Sequence, residues 1–205
     1  MHKEPEILFT FLTCDTAETE KTFNDATVFS FWGVYKTWSG DYAIHWLDCV
    51  EIWVEPKDLQ QNFLDFYMLC SRYPIRPSFA AIEKKSTGVT LVSILKSVQG
   101  LYVHAVERTK SSGSKSSRFI DCQWHISSGL VSISANARHK EMVIDHMIKI
   151  TANDSHKRDD IADTAADAIK LALIDKTAFS LGRAKEETPL IGGYQVNQRS
   201  GWNSK

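Results

Sequence analysis

The chain has 205 residues, 43% hydrophobic and 24% charged, and its 24 Lys and Arg against 25 Asp and Glu leave a formal net charge of −1. That length suits one substantial domain, and the balanced charge excludes a uniformly basic nucleic-acid coat, so any polyanion has to be met locally. Cys14, Cys49, Cys70 and Cys122 are scattered without a CxxC pair, and no apolar run approaches the roughly 20 residues that span a bilayer, so the expectation is a soluble, intracellular protein without a disulfide framework.

Residues 7–14, 27–36 and 42–54 are rich in β-branched and aromatic side chains and are separated by polar turns, which predicts an antiparallel meander of three strands. Trp32, Trp38, Trp46 and Trp53 fall within this stretch at spacings that suit core or sheet-face packing better than base stacking. Pro56 suits a helix start, and Leu59, Phe63, Phe66, Tyr67 and Cys70 then recur every three or four residues until Pro74 and Pro77 stop the pattern. A strand at 78–83, a helix at 87–98 and a strand at 101–106 form a β-α-β unit, whose strands should be parallel.

The polar run 109–117 reads as a mobile surface loop. Beyond it the pattern predicts a helix at 117–127, a short strand at 130–134, a helix at 138–151 and a strong helix at 159–176. Residues 177–205 mix Gly, Pro, Gln and Asn without periodicity and are expected to pack lightly or stay flexible as a tail behind a domain of residues 1–176.

Three acidic positions stand at element ends: Asp15 closes the first strand, Glu83 closes the fourth, and Asp159 with Asp160 opens the last helix. If the first and fourth strands are adjacent and parallel, Asp15 and Glu83 leave the same sheet edge. Each has an ordinary alternative: a turn residue for Asp15, half of a surface ion pair for Glu83 beside Lys84 and Lys85, and helix capping for Asp159 and Asp160. Yet Asp160, Asp163 and Asp167 also follow each other at i, i+3 and i+7, and a like-charged row on one helix face needs either solvent or metal. Clustered carboxylates suit hard cations such as Mg²⁺ or Mn²⁺, and two such ions roughly 3.5–4 Å apart suit in-line hydrolysis of a phosphodiester.

These residues sit in segments with a familiar look. Cys14-Asp15-Thr16-Ala17 followed by Asn24-Asp25-Ala26-Thr27-Val28, then Ala81-Ile82-Glu83-Lys84-Lys85-Ser86-Thr87-Gly88, then His156-Lys157-Arg158-Asp159-Asp160-Ile161-Ala162-Asp163, resemble in order and spacing the nuclease domain of tailed-phage terminase large subunits. The resemblance implies an RNase H-like α/β fold, a mixed five-stranded sheet with three antiparallel strands followed by parallel ones and flanked by helices. It also implies metal-dependent endonuclease activity on double-stranded DNA during viral genome packaging, with two Mg²⁺ or Mn²⁺ ions. By the same resemblance Asp15, Glu83 and Asp160 are the catalytic metal ligands, with Asp159 and Asp163 beside them, and the partners are DNA, the portal protein and the terminase small subunit in the host cytoplasm; Asp25 reads as a solvent-exposed turn residue in preference to a water-mediated metal contact. The family usually sets His directly before the acid pair, whereas Lys157 and Arg158 intervene here after His156. No GxxxxGK[ST] segment is present, so the ATPase motor of such proteins has no P-loop counterpart here and the chain reads as the excised cutting domain.

Basic clusters near the acids, Lys84, Lys85, Arg108, Lys110, Lys115, Arg118, Lys157 and Arg158, are candidates to grip phosphates without sequence preference, whereas Arg138-His139-Lys140 reads as solvated surface. Rival readings are a Holliday-junction resolvase or another RNase H-like nuclease, and a non-catalytic packaging assembly module.

Overall fold

The computed structural model describes residues 4–17, 26–85, 87–107, 115–149 and 160–183. Its centre is a mixed six-stranded sheet in the order β5-β4-β1-β2-β3-β6, built from β1 (Ile7–Asp15), β2 (Thr27–Lys36), β3 (Tyr42–Ile52), β4 (Pro77–Glu83), β5 (Val103–Val106) and β6 (Val131–Ile133). β1, β2 and β3 form the antiparallel meander. β4 lies parallel to β1, and β5 lies parallel to β4 across α2 (Thr87–Leu95), as a β-α-β crossover requires. The sheet therefore has six strands rather than the five implied by the family resemblance. The short strand near residues 130–134 joins β3 in parallel, pairing Ile44 with Val131 and Trp46 with Ile133.

Both faces of the sheet are covered, which explains why its central strands are apolar almost without interruption. Leu12, Cys14, Phe29, Phe31, Ala80 and Ile82 pack under α1 (Pro56–Cys70) and α2, and α1 presents Leu59, Phe63, Phe66 and Cys70 to them at the predicted spacing. The other face, with Phe11, Val28, Trp32, Ile44, Trp46, Phe79 and Ala81, packs under α3 (Lys115–Ser127), α4 (Lys140–Lys149), α5 (Asp160–Ile169) and α6 (Thr177–Arg183). Trp32 and Trp46 are buried here as a stacked pair with ring centres 4.3 Å apart. Trp38, by contrast, stands wholly in solvent at the turn between β2 and β3, and Trp53 is half exposed, so core packing holds for only two of these four tryptophans.

α5 does not end smoothly at residue 176. It continues as a π-helical segment, Lys170–Ile174, closed by the Asp175 amide donating to the Lys170 carbonyl at 2.8 Å, and Lys176 then turns the chain at φ 57°. The aperiodic reading of 177–205 missed α6, which buries Ala178 and sets Phe179 edge-on against Phe9 with 5.4 Å between ring centres. Seven residues are too few for a helical period to declare itself in sequence. Residues 184–205 lie outside the described residues, as does most of the 109–117 loop; α3 begins at Lys115, two residues before its expected start.

Arg138 is exposed, as the solvated reading expects, but it also has a structural partner. Its guanidinium reaches the buried carboxylate of Asp48, with Nη2 2.8 Å and Nε 2.9 Å from Oδ2. Arg138→Ala would leave a buried charge without its partner, so it is expected to lower stability by about 2 kcal/mol, less than for a fully buried pair because Arg138 is half exposed. A shift of the urea midpoint, partly restored by adding Asp48→Asn, checks this.

Candidate active site

Side chains alternate across a strand, so Phe11, Thr13 and Asp15 share the face of β1 that looks toward α5, and Phe79, Ala81 and Glu83 share the same face of β4. Thr13 is paired with Ala81 and Cys14 with Ile82, which brings Asp15 and Glu83 out side by side at the carboxyl ends of adjacent parallel strands. In open α/β sheets this is the edge at which ligands are usually bound.

A polar seam fixes where α5 crosses that edge. The Trp32 indole donates to Thr13 Oγ1 at 2.9 Å, Thr13 Oγ1 donates to the Thr164 carbonyl at 3.0 Å, and Thr164 Oγ1 shares a 2.8 Å hydrogen bond with Ser30 Oγ. The flanking residues Ile161, Ala162, Ala165, Ala168 and Ile169 are buried, most of them small enough for the helix to lie close to the sheet. This register carries Asp160, Asp163 and Asp167 toward Asp15.

Burial bears on the solvated explanation of the like-charged row. Asp163 and Asp167 are only 5% and 6% exposed and Glu83 only 7%, so these carboxylates are not a solvated helix face. Burial, and then the negative charges of Asp163, Glu83, Asp160 and Asp167 in that order, hold the Asp15 carboxyl well above the usual range. Burial together with Asp15 and Glu83 likewise pushes the neighbouring Cys14 thiol far up, so it is an inert core group rather than a nucleophile.

Of the residues selected from the sequence, Glu83, Asp160 and Asp163 thus stand within electrostatic reach of Asp15. Asp167 joins them; its place in the i, i+3, i+7 row was the signal, although it was not chosen as a ligand. Asp159, Asp25, His156, Arg108, Lys110, Lys157 and Arg158 lie outside the described residues. Lys115 opens α3. Lys84 is paired with Glu107 at 2.7 Å on the surface, and Lys85 is exposed.

Arg118 is placed differently from a DNA-facing cation. It turns inward from α3, and its Nη2 lies 2.9 Å from Asp163 Oδ1, with both side chains mostly buried. Sequence reasoning missed this pairing because nothing local records which helices become neighbours.

The loop behind the acids is tied down. The Ala17 amide donates to Thr27 Oγ1 at 3.2 Å, and Thr87 Oγ1 donates to the Ala17 carbonyl at 2.8 Å, which links the end of β1 to β2 and to α2. The second residue of α2, Gly88, lies so close to the end of β4 that a Cβ there would stand 2.0 Å from the Glu83 carbonyl oxygen.

Among the described residues no three His, Cys, Asp or Glu side chains already form a ready cage for an ion. The donor set nevertheless fits hard divalent cations in its chemistry, since it consists of carboxylates alone and their mutual repulsion at Asp15 is what such a cation would offset. No family model matches this chain, and no curated protein matches it in sequence.

Proposed function

We propose that the chain is a divalent-metal-dependent endonuclease for double-stranded DNA, with an RNase H-like core that corresponds to the cutting domain of a phage terminase large subunit. The observation that carries this reading is the convergence of negative charge on Asp15 from the carboxylates of Glu83, Asp160, Asp163 and Asp167, on an adjacent parallel strand end and one helix. Three antiparallel strands followed by parallel β4 and β5 support the fold assignment, with β6 as an addition at the margin.

In this reading Asp15, Glu83 and Asp160 hold Mg²⁺ or Mn²⁺, with Asp159 and Asp163 beside them. When bound, such ions activate water and offset charge on the leaving oxygen of a phosphodiester. The protein itself contributes position: β1 and β4 fix two carboxylates in register, and the seam from Trp32 through Thr13 to Thr164 fixes α5 against them. Lys84 and Lys85 lie just past Glu83, where they meet DNA phosphates without reading sequence. The surface pair of Lys84 with Glu107 is worth little in water, so a phosphate can replace it.

Supercoiled plasmid incubated with Mn²⁺ or Mg²⁺ is expected to be nicked and linearised, to survive in EDTA, and to be cut at least about a hundredfold more slowly by Asp160→Asn. A protein that cleaves no DNA under any of these conditions would instead be an assembly module docking on the portal. Preference for four-way junctions over linear duplex would move the assignment to a resolvase.

A further inference from the structure

We infer that Arg118 is a built-in counter-cation of the carboxylate centre, one that a divalent ion has to displace from Asp163. The inference rests on the metal-nuclease reading above and concerns how that site is regulated. A guanidinium stays charged at every working pH, so its hold on Asp163 is not switched by protonation of the arginine.

Arg118 meets Asp163 through Nη2 at 2.9 Å, in surroundings where both side chains are largely shielded from water. Its Nε, however, is buried with no hydrogen-bond partner among the described residues. A group with five donors that leaves one buried and unused is held by charge, not by a completed network, and can be released more easily than a bidentate pair.

It also has somewhere to go. Arg118 borders a pocket of about 290 Å³ shared with Asp121, Cys122, His125, Asp167 and Lys170. Asp121, three residues further along α3 and so on the same helical face, offers a second carboxylate. His125 Nδ1, likewise buried without a hydrogen-bond partner among the described residues, belongs to the same lining and is a further group with unused capacity there.

Two cations that compete for one carboxylate weaken each other's binding by the same factor. Arginine on Asp163 therefore keeps the centre poor in metal until the ion concentration, or a ligand that draws Arg118 into the pocket, tips the balance. In a DNA-cutting protein that is a restraint on premature cleavage.

Calorimetric titration of Mn²⁺ into the whole chain tests this without reference to activity. Arg118→Gln is expected to bind Mn²⁺ roughly five- to tenfold more tightly than the parent, and Arg118→Lys more tightly by a smaller factor because it keeps the charge but not the fork. The metal-free melting temperature of Arg118→Gln should fall, and saturating Mn²⁺ should raise it by more than it raises that of the parent. Equal or weaker Mn²⁺ affinity in both variants would overturn the inference while leaving the nuclease reading intact. Absence of Mn²⁺ binding in the parent as well would remove both. If Arg118→Gln does not fold, the lysine variant alone decides the matter.

Discussion

Asp15→Asn is expected to reduce DNA cleavage by more than about a hundredfold and, at the same time, to make the metal-free protein more stable at neutral pH. The first effect follows from the central position of Asp15 among the proposed ligands, since even partners one step removed from a metal usually cost ten- to a hundredfold when lost. The second follows from the direction in which its carboxyl is shifted. Burial and four neighbouring carboxylates raise its folded value well above that of the unfolded chain. Stability from such a group is fully present below the unfolded value and is lost as pH rises through the folded one.

At pH 8, far above the unfolded value, Asp15 therefore weakens the metal-free fold, and asparagine, which cannot ionise, removes that cost. The gain is expected to be on the order of 2 kcal/mol, roughly 4–8 °C in Tm for a domain of this size, and to vanish as the pH is lowered. Mn²⁺ should stabilise the parent and hardly affect the variant. Melting curves at pH 5, 7 and 8, with and without Mn²⁺, check both halves. An asparagine variant that melts below the metal-free parent at pH 8 would show that the crowding of charge around Asp15 has been misjudged.

Gly88→Ala carries the second large effect, and here two terms oppose each other. Alanine favours a helix over glycine by about 1 kcal/mol, so on propensity alone α2 would gain. The added Cβ, however, would stand 2.0 Å from the Glu83 carbonyl oxygen and 3.1 Å from Thr16 Oγ1. A backbone oxygen cannot swing aside as a side chain would, so either α2 withdraws or the end of β4 moves. The clash outweighs the propensity, and a net loss of about 3 kcal/mol is expected in urea unfolding. Because the atom struck belongs to Glu83, Mn²⁺ affinity should fall together with stability. A variant as stable as the parent with unchanged Mn²⁺ binding would mean that α2 does not lean on this strand end. The glycine in the segment Glu83-Lys84-Lys85-Ser86-Thr87-Gly88 thus has a steric reason: it lets a helix begin directly against the strand that delivers an acid.

Much of the architecture could be read from local chemistry. The strands, α1 with its stripe of Leu59, Phe63, Phe66 and Cys70, and the crossover from β4 through α2 to β5 follow from periodicity and turn residues, with ends off by a few positions. What periodicity cannot carry is the identity of partners distant in the chain. Arg138 sits in a run that looks solvated, and only the fold brings Asp48 to it, 90 residues earlier. Arg118 was a natural phosphate-binding candidate until α3 was laid against α5. β6 was recognisable as a short strand, but its place beside β3 depends on pairing that no local pattern encodes. For the acids, the sequence offered the spacing of Asp160, Asp163 and Asp167; that the row faces inward was decided by the seam from Trp32 through Thr13 to Thr164.

The two margins of the sheet, β5 with four residues and β6 with three, bear on how the molecule behaves in a crowd. A rim this short exposes only a handful of amide and carbonyl groups to a foreign strand, too few for steady pairing. At high local concentration, copies of the chain therefore have little tendency to zip into fibrils through these strands.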